Sequence, residues 1–482
     1  MTTRRTKIVC TIGPAVTSKE NLRKLALNGM DVARLNFSHG KHSDFEKTIQ
    51  DLRSIEKEVN RPLGIMADIQ GPKIRVTKLE KGSLDLKTGQ EVWMTYDGQL
   101  EHPPKDSRPI IPTGYKDFVK DISPGFTILL DDGLIGLKVL DKKSYGLLCT
   151  VVDSGLLKEN KGINVPQASF SAPSITEKDY EDILFCISQG IDFIAMSFVR
   201  TAQEVRHLRE FIDSRGKKIQ VLAKIEKQDA LNNLEEIIEA SDGVLVARGD
   251  LAVEVGNELV PVLQKKIVKL CNLKGKSVII ATQMLMSMVD NPRPTRAEAS
   301  DVANAIIDGA DALMLSNETA VGKYPFEAVK MMVRISEEIE EVTKTTLILH
   351  DEWQVDAPYT LAINLMQSAV RLAAVIDASL MAILTSSGQS ALLVSKCRPK
   401  SRVIAITSSQ ETYHQLSLKW GVEAVYFPQM ETHLSQTTVF DVIGQHLQQL
   451  KIAKSGDKIV ITAGLPKLEH GSTNTIKIHQ VS

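Results

Sequence analysis

The sequence has almost no net charge, no paired cysteines and no long apolar run, and each lack removes a class of function. Lys and Arg number 58 against 59 Asp and Glu, a net charge of −1 over 482 residues. So balanced a chain has no electrostatic case for nucleic acid or an anionic membrane as its main partner. The cysteines Cys10, Cys149, Cys186, Cys271 and Cys397 are odd in number and form no CxxC pair. Neither a disulfide framework nor a zinc cluster is indicated, and a reducing compartment is expected. The opening MTTRRTKIVCTIGP carries basic residues, but polar ones break its apolar run within a few positions. It reads as neither signal peptide nor anchor. Low-complexity segments are missing too. The expectation is a soluble, cytoplasmic protein of about three domains, at about 100–200 residues each.

The stretch that organises the rest is VLAKIEKQDALNNLEEIIEASDGVLVARGDL, Val221 to Leu251. Two strand-like runs flank a helix-period segment and each ends in charge, Lys224 and Glu226 on the first, Arg248 and Asp250 on the second. Positions two apart share a strand face, and a βαβ connection makes the second strand a parallel neighbour of the first. Glu226 and Asp250 are therefore expected to meet at one sheet edge. Paired carboxylates there suit Mg²⁺, which takes one or two protein carboxylates and completes its shell with waters and phosphate oxygens. Lys224 would face the same phosphate, and Gly249 would leave backbone N–H groups open to an anion. A structural ion pair at a sheet edge explains any one of these residues equally well.

Short β-branched runs alternate with helical segments from Lys7 to Ile69 and again from Glu177 to the helix after Pro325, giving eight strands. That pattern predicts a (β/α)8 TIM barrel from 1–71 and 171–345; a doubly wound open sheet, with two exposed edges, is the alternative. Between Pro72 and Phe170 the helical period vanishes and short alternating strands with Gly and Asp turns take over. A small β barrel is expected over 72–170, hinged near Gly71-Pro72 and Ala172-Pro173 and placed as a lid. Residues 346–482 read as an open α/β domain.

Functional groups of such a barrel sit at the carboxyl ends of its strands. Arg34, Asn36 and Ser38 share one face at the end of the second, Asp68 ends the third and Thr282 follows the seventh. Each has a plain alternative: Ser38 and His39 as helix caps, Asp68 paired with Lys73, Thr282 as a strand former. In the last domain TSSGQS, residues 385–390, follows an apolar strand and opens a helix, which suits a phosphate. A simple turn with a Ser cap suits it too.

RLNFSHG (34–40), GPKIR after Asp68, NKGINVP (160–166), AKIE (223–226), ARGDLA (247–252), ATQML (281–285) and PTRAEASDVANAI (294–306) together resemble the pyruvate kinase family, in order and over essentially the whole chain. The resemblance implies transfer of the phosphoryl group of phosphoenolpyruvate to ADP. It implies Mg²⁺, with Mn²⁺ as a substitute, on Glu226 and Asp250, and Lys224 stabilising the phosphoryl group and enolate in transfer. Substrate would lie against Arg34, Lys224, Gly249, Asp250 and Thr282, with catalysis carried by Lys224, Arg34 and Thr282. Nucleotide would lie against Asn36, His39, Arg75 and Lys161. A monovalent-cation pocket would be formed by Asn36, Ser38, Asp68 and the Ile69 carbonyl.

Many family members require K⁺ there and carry glutamate where this chain has Lys73; others carry lysine and work without it. K⁺ independence is therefore expected, because an ammonium can supply the charge the ion supplies. The alternative is a solvated Lys73 and an ion that still binds. Lesser departures are Ala252, Met286 and Asn317, the last expected to tolerate left-handed backbone. The resemblance further implies a homotetramer and a phosphorylated small-molecule effector at Thr385, Ser386, Ser387, Gly388 and Ser390, beside the loop 465–474. Competing readings are another barrel enzyme acting on phosphoenolpyruvate or pyruvate, and a catalytically silent effector-binding protein.

Overall fold

The computed structural model describes residues 4–99, 107–343, 360–430, 439–465 and 473–482. The strands Lys7–Ile12, Val32–Asn36, Gly64–Ile69, Phe193–Met196, Gln220–Ile225, Gly243–Ala247, Ser277–Ala281 and Ala312–Leu315 pair in parallel and in sequence order, and the last returns to the first, Ala312 opposite Lys7. The open-sheet alternative is excluded. Every strand contributes to the interior, with Val9, Val32, Met66, Phe193, Leu222, Leu245, Ile279 and Ala312, and the fourth, sixth, seventh and eighth strands add Ala195, Ala247, Ala281 and Met314. Their neighbours, such as Ile8, Ala33, Ile65 and Ile194, pack outward under the helices. Burial on both faces is why these runs are apolar throughout rather than alternating.

A repeat of two strands underlies the barrel's amino-terminal end. Asp31, Asp192, Asp242 and Asp311 each precede an even-numbered strand. Each accepts a hydrogen bond from the backbone N–H of the second residue of the strand before it, Ile8 (2.8 Å), Ile65 (2.7 Å), Val221 (2.8 Å) and Val278 (2.8 Å). Each also carries a cation: Arg4, Arg53, Arg209 and Lys396 respectively. Backbone donors that no neighbouring strand reaches are satisfied in this way.

The residues between the third and fourth barrel strands form a six-stranded sheet and a two-stranded ribbon, Ser83–Leu86 with Gly155–Lys158, over one core containing Val92, Ile128, Leu137 and Leu147. The sheet closes through the segment from Ile74 to Thr77. Val76 donates to the Lys161 carbonyl (2.9 Å) and Ile163 to the Ile74 carbonyl (3.0 Å) on one side, and Thr77 to the Pro112 carbonyl (3.0 Å) on the other. The small barrel expected there is closed by its incoming leg.

The last unit is a five-stranded sheet in the order Val422–Tyr426, Arg402–Thr407, Leu380–Leu384, Lys458–Ala463, Thr475–Gln480, with only the final strand antiparallel. It docks on the amino-terminal end of the barrel. Leu418 joins the barrel's interior core, Lys396 is fully buried against Asp311, and His414 reaches Glu56 (2.9 Å) and Asp192 (3.3 Å). No helix among the described residues is long and apolar enough to cross a membrane.

Burial alone would lower the His414 pKa, but hydrogen bonds to Asp192 and Glu56 outweigh it and the nearby Arg53, raising it to about 9 from 6.5. A raised folded-state pKa contributes stability that is fully present below the unfolded value and lost as pH rises through the folded one. The stability gap between the parent protein and His414→Gln should therefore be widest below pH about 6.5 and shrink as pH passes about 9. Thermal unfolding of both across pH 6 to 10 checks this, and a gap that does not change with pH contradicts it.

Candidate active site

Polar groups from all the carboxyl ends of the first seven strands gather at one mouth. At the centre Lys224, in the fifth strand, donates to Ser197 Oγ (2.8 Å) and pairs with Asp68 (3.1 Å) and Glu226 (3.0 Å). Arg34 holds the other Asp68 oxygen through Nε (2.8 Å) and Nη2 (2.7 Å) and donates to Thr11 Oγ1 (2.9 Å). Burial depresses the Lys224 pKa, and the carboxylates of Asp68 and Glu226 more than restore it, so the ammonium stays charged. Burial also opposes ionisation of Asp68, but Lys224 and Arg34 outweigh it and hold the carboxyl below its ordinary range. Glu226 goes the other way. Burial raises its pKa, Lys224 offsets only part of this, and the charge of Asp250 adds to the rise.

Glu226 and Asp250 are thus close enough to repel. Glu226 lies one residue past its strand and its second oxygen accepts from the Phe198 N–H (2.7 Å). Asp250 does not end a strand. The sixth strand stops at Ala247 and Arg248–Val255 is a helix, so Arg248, Gly249 and Asp250 occupy its first turn. Arg248 is engaged within the protein, forked onto Asp301 (2.7 Å to each oxygen) and donating to the Thr282 carbonyl (2.8 Å). The Gly249 N–H is not open: it donates to Thr282 Oγ1 (2.8 Å), whose own proton goes to the Ala281 carbonyl (2.6 Å). A Cβ at Gly249 would come 3.6 Å from that hydroxyl, filling space beside the amide.

Lys73 does not pair with Asp68. Its ammonium lies 3.3 Å from Asp250 and 5.8 Å from the centre of the Phe198 ring. Of the expected monovalent-cation set, Asn36 Oδ1 accepts from the Ser38 N–H (3.1 Å), while Asp68 and the Ile69 carbonyl both accept from Ser197 Oγ (3.2 and 2.7 Å). Ser38 and His39 do not cap the next helix. Lys41 precedes it without a side-chain cap, and the His39 N–H returns to the Asn36 carbonyl (3.2 Å). Arg75 lies on the closing segment of the lid and Lys161 on the run that pairs with it. Arg75 donates to the Asn160 carbonyl (2.8 Å), and Lys161 pairs with Asp131 (2.8 Å).

In the last unit Thr385 Oγ1 accepts from the Gly388 N–H (2.9 Å), the Ser386 carbonyl from Thr412 (2.7 Å), and Ser390 bonds Thr473 (2.8 Å). Gly388, with φ +80°, rather than a serine, precedes the helix; Ser387 stands between these groups. Of the expected neighbouring loop, residues 466–472 lie outside those described. Asn317 is helical rather than left-handed, Met286 is exposed in a short 3-10 turn, and Ala252 lies within the Arg248–Val255 helix.

Ser197 and Thr11 escaped the sequence reading. Ser197 directly follows the fourth strand, FIAM, so the rule that picked out Asp68 and Thr282 applies to it equally. Three non-glycine residues at the mouth are left-handed, Phe198 (φ 54°), Thr282 (φ 72°) and Gln283 (φ 55°). Such strain costs about 1–3 kcal/mol per residue and gathers at functional sites. Glu226 and Asp250 fit a divalent cation: two hard carboxylates repel each other, and burial together with that repulsion raises the Glu226 pKa. No group of three or more His, Cys, Asp or Glu is placed to hold a metal among the described residues, so these two carboxylates would leave most of an octahedral shell to other oxygens.

Two family models match the chain, "Pyruvate kinase, barrel domain" over residues 3–329 and "Pyruvate kinase, alpha/beta domain" over residues 364–479. A pyruvate kinase of Geobacillus stearothermophilus is 45% identical over 482 residues, covering 99% of this chain and 81% of that protein. One from Staphylococcus aureus (strain MRSA252) is 43% identical over 481 residues, covering 99% and 80%. A crystal structure of a pyruvate kinase from Cryptosporidium parvum superposes with a TM-score of 0.89 at 35% identity, covering 99% of this chain and 96% of that one.

Ser197→Ala removes the hydroxyl that bridges Lys224, Asp68 and the Ile69 carbonyl. It should cost about 1–3 kcal/mol of stability, the usual penalty for stranding buried polar groups. Denaturant unfolding at pH 7 reads this directly, and a change below a few tenths would contradict the bridging role.

Proposed function

The chain belongs to the pyruvate kinase family, and on that premise we propose how its residues divide the work of moving a phosphoryl group from phosphoenolpyruvate to ADP, giving pyruvate and ATP. The observation that carries the reading is the Lys224 ammonium held charged between Asp68, Glu226 and Ser197 at a mouth whose other carboxylate, Asp250, adds to the rise in the Glu226 pKa. Phosphoryl transfer needs positioning and charge stabilisation more than covalent help, and this cluster supplies fixed charge with its partners already in place.

Glu226 and Asp250 would hold Mg²⁺, or Mn²⁺ in its place, which when bound neutralises charge on the phosphate oxygens. Lys224 stabilises the phosphoryl group in transfer and then the enolate oxygen, and Arg34, braced by Asp68, holds the phosphate. The substrate carboxylate lies at the first turn of the Arg248–Val255 helix, where the Thr282 hydroxyl on the Gly249 amide marks a site for an accepting oxygen. Thr282 lies beside the carbon that takes a proton when enolate becomes pyruvate, and a water there is the donor. Asn36, His39, Arg75 and Lys161 take the nucleotide; lid closure brings the last two over the mouth and excludes water.

The division of the chain is proposed as 1–71 with 171–345 for the catalytic barrel, 72–170 for the lid and 346–482 for the effector domain. The loop Thr385 to Ser390 takes the phosphate of a small activator, and the assembly is a cytoplasmic homotetramer. K⁺ independence is part of the reading. Lys73 places an ammonium on Asp250, beside the site rather than inside the Asn36, Ser38, Asp68 and Ile69 set, whose Asp68 and Ile69 oxygens Ser197 engages.

The decisive assay is pyruvate release from phosphoenolpyruvate with Mg²⁺ and ADP in K⁺-free buffer, against an ADP-free control. ADP-dependent release without K⁺ is expected; release only after K⁺ is added would refute the ion argument and leave the kinase standing. Release that ignores ADP would favour a different barrel enzyme, and none under any condition would favour the silent reading. Lys224→Met should lower turnover by at least about 10²-fold while leaving Mg²⁺ binding by calorimetry intact, and an active variant would remove the role assigned to Lys224.

A further inference from the structure

We infer that Glu254 is a positioning residue that ties the lid to the helix carrying Gly249 and Asp250, and so sets where Arg75 and Lys161 stand relative to the metal carboxylates. The inference rests on the nucleotide reading of Arg75 and Lys161 given above. Glu254 has a side chain only 2% exposed. One of its oxygens accepts from both Asn164 Nδ2 (3.0 Å) and Lys227 Nζ (2.8 Å). A buried carboxylate without partners is strongly destabilising. Here one partner belongs to the lid and the other to the barrel, so withdrawing the lid leaves both Glu254 and the Asn164 amide short of a bond.

Each of the three residues is one short step from the proposed chemistry. Glu254 lies four positions after Asp250, one turn along the same helix, so the two move together. Lys227 follows Glu226 directly, and its ammonium also lies 5.6 Å from the centre of the Phe170 ring on the lid's outgoing leg. Asn164 follows Lys161 by three residues and belongs to the strand Ile163–Asn164, which pairs with Leu129 and Leu130. The lid touches this helix twice more. Lys73 reaches Asp250, and a Cβ at Gly133 would be 3.7 Å from Val253. Of these contacts the Glu254 clamp is the most buried, and it sets two donors on one carboxylate oxygen, whereas Lys73 and Asp250 form a single, more exposed pair.

The test uses Asn164→Ala, which removes one donor and leaves the Glu254–Lys227 pair in place, alongside Glu254→Gln. In Asn164→Ala the KM for ADP should rise about tenfold, while the KM for phosphoenolpyruvate changes by less than about twofold. Without any nucleotide, amide hydrogen exchange at Val76 and Ile163, where the lid barrel closes, should quicken while exchange in the barrel strands does not. Glu254→Gln, which keeps an acceptor for Asn164, should show a smaller rise in the ADP KM than Asn164→Ala. Equal rises for both substrates with a lowered unfolding temperature would reduce Glu254 to a packing role. Unchanged ADP KM and unchanged exchange would overturn the clamp outright. Should the parent protein release pyruvate without regard to ADP, the nucleotide reading fails, and the exchange measurement alone decides whether Glu254 holds the lid.

Discussion

The ammonium of Lys224 and the carboxylate of Asp68 form the interaction on which the barrel mouth depends. Each is a charge taken out of water, which is costly unless geometry and hydrogen bonds make up for it. Asp68 is stabilised by Lys224 and Arg34, Lys224 by Asp68, Glu226 and Ser197, and Arg34 is steadied by Thr11. The set contains more cation than carboxylate around Asp68 and more carboxylate than cation around Glu226. That unevenness leaves Glu226, beside Asp250, short of positive charge. On the proposed reading a divalent ion at the carboxylates and a phosphate-bearing substrate at Lys224 and Arg34 would together supply what is missing.

Such a cluster stands only because the other end of the barrel is held as firmly. The four aspartates preceding alternate strands satisfy backbone donors and collect cations from the helices and from the C-terminal unit. Asp192 links the two ends most directly. It accepts from the Ile65 amide near the start of the strand that carries Asp68, precedes the strand that leads to Ser197, and faces His414 from the C-terminal unit. The helix Gln410–Gln415 that carries His414 also carries Thr412, bonded to the Ser386 carbonyl of the proposed effector loop. A change at that loop therefore has a short, hydrogen-bonded route to the strands that position Lys224. The His414 link also makes the stability of that route depend on pH.

Much of this was legible in the chain. Eight β-branched runs alternating with helical ones specified a closed barrel, since parallel strands covered on both faces must be apolar throughout, and a charge at the end of such a run has few reasons to be there. That logic placed Arg34, Asp68, Lys224, Glu226 and Thr282 together, and would have placed Ser197 had it been applied to the fourth strand. It went astray at ARGDLA. The charges of Arg248 and Asp250 read there as the end of a strand, but the backbone turns into a helix at Arg248, so Asp250 approaches Glu226 from a helix turn, and the Gly249 amide meets Thr282 instead of standing open.

By itself the sequence determined the barrel, the inserted β unit, the α/β unit and the ring of charged strand ends, because periodicity and burial act locally and leave their mark on neighbouring residues. Which charge meets which was decided only in the folded molecule. Lys73 could have paired with Asp68 by proximity in sequence but is drawn to Asp250, 177 residues away, because Arg34 and Lys224 already surround Asp68. Glu254 and Asn164 have no spacing or motif in common. They meet only because the lid folds back over the helix, and a contact of that kind depends on how two separately folded units come to rest against each other.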